Sequence, residues 1–494
     1  MEIGFDNQRY IELQAARIRE RIDQFGGKLY LEFGGKLFDD MHASRVLPGF
    51  EPDSKIRMLK SMVDDVEIVV VINANDIEKA KVRGDLGITY DEDVLRLMDI
   101  FKGLGFYVGS IVIAQYTGQP AADVFAKRLD SLGITHYFHY PIAGYPYAVE
   151  RIVSDEGYGK NEYIETTRPL VVVTAPGPGS GKAATCFSQL YHDHKRGIRA
   201  GYAKYETFPI WNLPLKHPVN VAYEAATVDL DDVNTIDPFH LEAYGITTVN
   251  YNRDVEIFPV LKAIMERIYG ECPYKSPTDM GVNMAGYAIV DDEVCCKAAK
   301  MEVVRRYFKT AVEVMQTGTG ERMIPKLELL MNQVGVTADL NPARAAALAR
   351  EEQTGAPAGA IAFPDGTIIT GRTTDLLGAA SSLLMNALKK VADVDMDTYV
   401  LSDEALEPIC KLKTTLLHST NPRLHSDETL IALSISSATD PLAKQLLDHA
   451  GDLKGCDAFF SVILSAPDLK VYRTLGLNVC CEPKYESRQF YHKG

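Results

Sequence analysis

The sequence predicts an α/β protein with an N-terminal, mostly parallel sheet of P-loop or Rossmann-like type, a helical middle segment and a C-terminal three-layer α/β subdomain. Three observations carry this reading. Short runs rich in Val, Ile, Tyr and Phe recur through the first half, and EIVVVIN is apolar at nearly every position, as a strand buried on both faces requires. Helix-length segments separate the runs, which is the pattern of crossovers between parallel strands. One run, VVVTAPGPGSGK at Val171 to Lys182, passes directly from strand through a glycine loop into a helix.

Strands are expected at 28–33, 66–72, 107–114, 134–140, 170–175 and 219–222, with crossover helices at 91–101, 120–132 and 182–196. From Ile257 the pattern turns helical, with helices expected at 257–269, 292–317 and 325–334. The Ala-rich stretch ADLNPARAAALAREEQTGAPAGA, broken by Gly and Pro, marks a passage into a second α/β unit. That unit is expected to hold strands at 360–362, 367–370, 430–435 and 459–464 and a helix at 375–391. The division is therefore 1–256, 257–335 and 336–494.

At 494 residues the chain exceeds one ordinary core. A formal net charge of -15 argues against nucleic acid or an anionic membrane as partner, because such surfaces demand clustered Lys and Arg. Any phosphate must be bound in a local pocket. The first ten residues carry charge and no apolar core segment, and no run approaches the roughly 20 apolar residues of a membrane span. The expected location is the cytoplasm. The 8 cysteines have no CxxC spacing and read as reduced thiols. A homo-oligomer is the default assembly for such a chain.

The glycine loop is the first candidate site. Gly177, Gly179 and Gly181 allow positive φ and close approach of backbone N–H groups to an anion, with Ser180 among them. The helix beginning at Lys182 adds its partial positive charge, and Lys182 a formal one. The match to GxxxxGK[ST] is degenerate: Pro176 stands at the first glycine position and Ala183 at the magnesium-binding hydroxyl position. The implied ligand is thus a nucleotide or another phosphate, with magnesium a candidate cofactor. Asp76, Glu224 and Asp229 are the acidic candidates for such a metal, each also readable as a cap.

A second turn, EFGGKL, and the following DDMHASRVLPGF contribute Lys36, His42 and Arg45, expected to face Lys182 across a crevice at the carboxyl edge of the sheet. The polar loop YKSPTDMGVNMAG supplies Asp279 as a candidate general base. In the C-terminal unit, Gly371, Arg372, Thr373 and Thr374 precede a helix, with Thr374 as its expected N-cap, and form a possible second anion site. Downstream, His418, Arg423, His425 and Asp427 are grouped. Cys186, in the first turn of the loop helix, is a candidate reactive thiol, with a small buried residue as the plainer reading. Zinc is not expected, since HExxH is absent and His192 and His194 point to different helix faces.

The blocks LYLEFGGKL, HASRVLPGF, APGPGSGK, SPTDMGVNMAG and TGRTTDLLGAASS together resemble the signature of a bacterial family of uncharacterised proteins, a domain of unknown function of about this length. The similarity runs from Gly4 to Pro483. It implies an N-terminal α/β region, a helical part and a C-terminal α/β subdomain. Some members of the family carry the label ATP-dependent zinc protease, to which these residues lend no zinc helix and only a degenerate P-loop. The functional expectation is an enzyme that binds a phosphorylated small molecule or nucleotide, with group transfer as its chemistry. The alternatives are a non-enzymatic metabolite sensor or scaffold, and a thiol enzyme using Cys186.

Overall fold

The structure is a computed structural model and describes residues 2–35, 37–38, 40–83 and 86–486. Seven strands form its larger sheet: β1 (Leu29–Phe33), β2 (Val66–Asn73), β3 (Tyr107–Ala114), β4 (His136–Phe138), β5 (Leu170–Thr174), β6 (Gly201–Tyr205) and β7 (Gly281–Val282). Their order is β7-β6-β1-β5-β2-β3-β4, and every pairing is parallel. The Val and Ile runs are explained by burial on both faces, for β5 is buried at all its positions and β2 at all but Asn73. The helices Tyr90–Gly103, Pro120–Ser131 and Lys182–Lys195 connect these strands close to the expected positions.

Two expected strands are helices. The segment 219–222 lies in the helix Pro218–Ala226, where proline occupies the helix start that its fixed φ suits, and Val219, Val221 and Ala222 are buried. The valines read as strand because β-branched residues favour sheets, but tertiary packing overrides that preference. The strand of this region is instead β6, GYAKY, hidden in the sequence by Gly201 and Lys204. Likewise 430–435 lies in the helix Ser426–Ser436, opened by a capping box in which Glu428 accepts from the His425 amide at 2.7 Å.

The C-terminal sheet is mixed. β8 (Ala358–Ala362) runs antiparallel to both β9 (Ile368–Arg372) and β10 (Asp457–Phe460), while β10 is parallel to β11 (Asn478–Cys481), giving the order β9-β8-β10-β11. The helix Ala379–Val391 buries Leu383, Leu384 and Leu388 together with Ile361 of β8 and Phe460 of β10. The approach is close enough that a Cβ on Gly371 would stand 2.4 Å from the Leu383 nitrogen.

The chain divides into two compact units. One holds Glu2–Glu224 and Asp231–Ala299, and the other holds Ala225–Leu230 and the chain from Lys300 onward. The division falls inside the Asp292–Thr317 helix. Beyond it, Phe308 meets Phe459 of β10 at 4.9 Å and Arg305 donates to Asp457 at 2.7 Å, so this part of the helix belongs with the C-terminal sheet. No helix among the described residues is long and apolar enough to cross a membrane.

Candidate functional site

The sheet order sets the place to look. From β1 the chain crosses to β2, and from β5 it crosses back past β1 to β6, so the connections from these two neighbours leave in opposite directions. A crevice outside the carboxyl ends of such strands is where open α/β sheets hold ligands. The glycine loop lies there, directly after β5.

The loop is tied down from several sides. Ser180 is buried and its Oγ donates to the Gly177 carbonyl at 2.7 Å, while Asn73, at the end of β2, donates to the Gly179 carbonyl at 3.3 Å. Gly181 is the N-cap of the Lys182–Lys195 helix at φ +98°, and a Cβ there would meet the Ala114 Cβ at 3.2 Å. Gly177 has another reason: a Cβ would stand 2.3 Å from Tyr90 Oη. Among the described residues no side chain caps the helix, and in its first turn the buried Thr185 Oγ1 has no hydrogen-bond partner. Ala183, where magnesium chemistry expects a hydroxyl, supplies none.

The helix covers one face of the sheet, packing Cys186, Phe187 and Leu190 with Tyr30 of β1, Val171 and Val173 of β5, and Tyr202 of β6. Side chains alternate along a strand, so Glu32 shares the face of Tyr30, and Lys204 that of Tyr202. Glu32 is in register with Lys204. Glu32 accepts from Tyr202 Oη at 2.6 Å, and Lys204 Nζ lies 2.7 Å from Glu206 Oε1 and pairs also with Asp254. Burial pushes the Glu206 carboxyl up to about 7, with Asp254 adding to the shift and Lys204 opposing it. Desolvation works against the Lys204 ammonium, yet Asp254, Glu206 and Glu32 together raise its pKa. The carboxyl edge thus carries a lysine held charged among three carboxylates, one of them poised to bind a proton near neutrality.

Sequence reasoning passed over Lys204, Glu206 and Asp254. The available signal was the polarity of GYAKYE, in which Lys204 interrupts a segment otherwise fit for a buried strand.

The other candidates are placed as follows. Lys36 lies outside the described residues. His42 and Arg45 share the short helix Met41–Val46, and the His42 ring packs edge-on against Phe208 and Tyr223 at 5.6 and 5.3 Å. Phe208 lies in the segment that follows β6, so His42 packs beside that segment, whereas Lys182 follows β5. Asp279 lies in the helix Pro277–Met280 beside the edge strand β7, three strand spacings or roughly 14 Å from β5. Its Oδ2 accepts from Tyr244 Oη at 2.9 Å and from the Lys275 amide at 3.0 Å. The structure gives Asp279 a turn-building role and does not bring it to the glycine loop.

Cys186 is fully buried, and burial, with Glu32 nearby, pushes its thiol well above the ordinary range, with Lys182 opposing. Desolvation thus works against the helix dipole at this thiol. Asp76 pairs with Lys81 at 3.3 Å, and Glu224 accepts from the Asn234 amide at 3.2 Å. Thr374 is not a helix cap: its Oγ1 accepts from the Leu377 amide at 2.9 Å, and the helix starts at Ala379 after Gly378. Arg423 pairs with Glu486 at 3.0 Å and His425 Nδ1 with Asp468 at 2.9 Å.

Among the described residues, His217, Asp292 and Cys296 bring three possible metal-ligand atoms within 4.8 Å of one another. His217 Nδ1 accepts from the Val219 amide at 3.3 Å, so the neutral ring carries its proton on Nε2 and donates it to Asp292 at 3.0 Å. A metal on Nε2 would have to displace that proton. The local hydrogen bonding accounts for the cluster without an ion.

These features define a two-unit α/β protein whose larger sheet is open and parallel, with a glycine loop at its switch point. The chain belongs to the family described as domain of unknown function DUF1846, whose N-terminal model matches residues 3–335 and whose C-terminal model matches residues 339–491. It is 55% identical over 490 residues to a UPF0371 protein of Streptococcus thermophilus (strain CNRZ 1066), covering 99% of each chain. It is 54% identical over 490 residues to one from Streptococcus pneumoniae serotype 19F, and 55% over 491 residues to one from Streptococcus pyogenes serotype M5, again covering 99% of each chain.

Proposed function

We propose that the protein is an enzyme acting on a phosphorylated small molecule bound at the carboxyl edge of the larger sheet. The observation that carries this reading is that the Lys182 helix start, Glu32, Lys204 and Glu206 occupy one face of the sheet at its switch point. Lys182 and the free amides of the helix start hold the phosphate, as an uncapped helix N-terminus favours an anion. Glu206 stands two strands away from the loop, roughly 10 Å, a span that a small phosphate ester bridges. There it exchanges a proton with the reacting end of the substrate, while Lys204 stabilises developing negative charge. Glu32 and Asp254 keep Lys204 charged and positioned.

Ala183 and the local pairing of Asp76 and Glu224 favour a phosphorylated metabolite over magnesium-nucleotide chemistry. The test is calorimetric titration of a panel of sugar phosphates, nucleotides and phosphorylated amino acids into the wild-type chain and Lys182→Ala, with turnover of any ligand assayed in Glu206→Gln. The reading requires affinity to fall about tenfold or more in Lys182→Ala, and turnover to fall in Glu206→Gln with binding retained. Equal affinity in Lys182→Ala overturns it. Binding that depends on Lys182 without product formation would favour a metabolite sensor.

A further inference from the structure

The geometry points to a second ligand site, in the C-terminal unit, built for a small anion that carries an apolar body. A cavity of about 310 Å³ opens there, at the small end of ligand pockets, which run from roughly 300 to 1,000 Å³. It is walled by the end of edge strand β9, by the 398–401 segment, and by one face of the Ala379–Val391 helix, where Ser382, Met385, Asn386 and Lys389 recur at helical spacing.

Three cations line this cavity: Arg350, Arg372 and Lys389. In a chain of net charge -15, none of the three has a carboxylate partner within ion-pair distance among the described residues, although Asp395 and Asp397 act on Lys389 from further off. Their local bonds leave donors to spare. Arg350 donates Nη1 to Gln353 at 2.7 Å, Arg372 donates Nη1 to the Thr373 carbonyl at 3.1 Å, and Lys389 donates to the Met396 carbonyl at 2.7 Å. A guanidinium has five N–H donors and an ammonium three.

Two residues of the cavity wall hold a buried polar atom with no partner among the described residues: Ser382 Oγ, on a residue only 9% exposed, and Arg350 Nε. Buried donors are nearly always satisfied, so two unspent donors beside a cavity lined by cations mark a wall whose polar groups the fold itself does not use up. Leu376, Met385 and Leu401 supply the apolar part of the wall, and Tyr399, 85% exposed, stands at the rim with a face free for stacking. Planar bidentate donors suit phosphate and carboxylate alike, so the head group is one of these two. The site is independent of the Lys182 loop, which lies in the other unit.

The experiment uses the full chain carrying Lys182→Ala, which weakens any binding at the glycine loop, and titrates phenyl phosphate, benzoate, inorganic phosphate and benzyl alcohol by calorimetry. Saturable binding of phenyl phosphate or benzoate with one equivalent is expected, with the alcohol and the bare ion at least about tenfold weaker. Adding Arg350→Met or Arg372→Met is expected to weaken the aryl anion by about tenfold, and Ser382→Ala by a smaller factor, with thermal unfolding unchanged. Which aryl anion binds more tightly identifies the head group. Absence of saturable binding in the Lys182→Ala chain overturns the inference and leaves the glycine-loop reading untouched, as does binding indifferent to both arginine substitutions.

Discussion

Lys204 Nζ lies 2.7 Å from Glu206 Oε1 on the carboxyl edge of the sheet, and the pair links protein stability to pH. Burial keeps Glu206 protonated to about 7, whereas in the unfolded chain it gives up its proton near the ordinary 4.5. Between those values the folded state binds more protons than the unfolded one, so this carboxyl makes stability fall as pH rises through the window. Glu206→Gln is expected to flatten that slope in denaturant unfolding measured across the window. A slope identical to wild type would show that Glu206 ionises normally.

The glycine loop makes a steric prediction. Gly181→Ala places a Cβ at φ +98° and 3.2 Å from Ala114, and is expected to lower stability by about 1–3 kcal/mol. Gly177→Ala must displace the ring of Tyr90, so it is expected to cost more than Gly181→Ala in the same urea titration.

Cys186 should behave as an inert core thiol. With its side chain buried and its thiol pushed up by burial, a disulfide reagent at neutral pH is expected to modify it only as the chain opens. Mass spectrometry of labelled peptides reads this directly, and labelling at the rate of an exposed thiol would reinstate a nucleophilic role.

In the C-terminal unit, His425 and Asp468 form an ion pair at 2.9 Å with its own pH window. Asp468 raises the His425 pKa above the ordinary 6.5, so that contribution is complete below 6.5 and is lost as pH rises through the folded value. For Asp468, burial pushes the pKa up, but the bonds from His425, Ser465 and the Ser426 amide prevail and bring it below 3.8. That contribution is complete above 3.8 and is lost as pH falls through the folded value. The pair therefore stabilises fully between 3.8 and 6.5, and His425→Ala is expected to cost about 1 kcal/mol there, since the imidazole is partly exposed. Thermal melts on either side of the window check it.

How far the fold was legible depended on burial. β2, β5 and the second half of β3 were recognisable because strand segments buried on both faces leave unbroken apolar runs, and the Lys182 helix because a glycine loop opens it. β6 was hidden because the residues that serve the site break its pattern. The chemistry of the carboxyl edge was illegible for a related reason: Lys204, Glu206 and Asp254 meet only through strand register and a helix 50 residues further along the chain. Asp279 illustrates the converse, a polar cluster suggestive in sequence whose carboxylate bonds to the Lys275 amide of its own turn and to Tyr244 of the Pro238–Tyr244 helix.

The division inside the Asp292–Thr317 helix has a consequence for taking the protein apart. The N-terminal family model ends at residue 335, yet Phe308 and Arg305 are packed and paired with β10. A fragment cut at that border would carry away a helical arm whose apolar stripe, Val303, Val304, Phe308, Leu327 and Leu330, is buried in the intact chain. Such a fragment should aggregate, and the remainder should lack part of its own core. Halves exchanged between relatives would then have to be joined near residue 299, with Ala225–Leu230 drawn from the same parent as the C-terminal half.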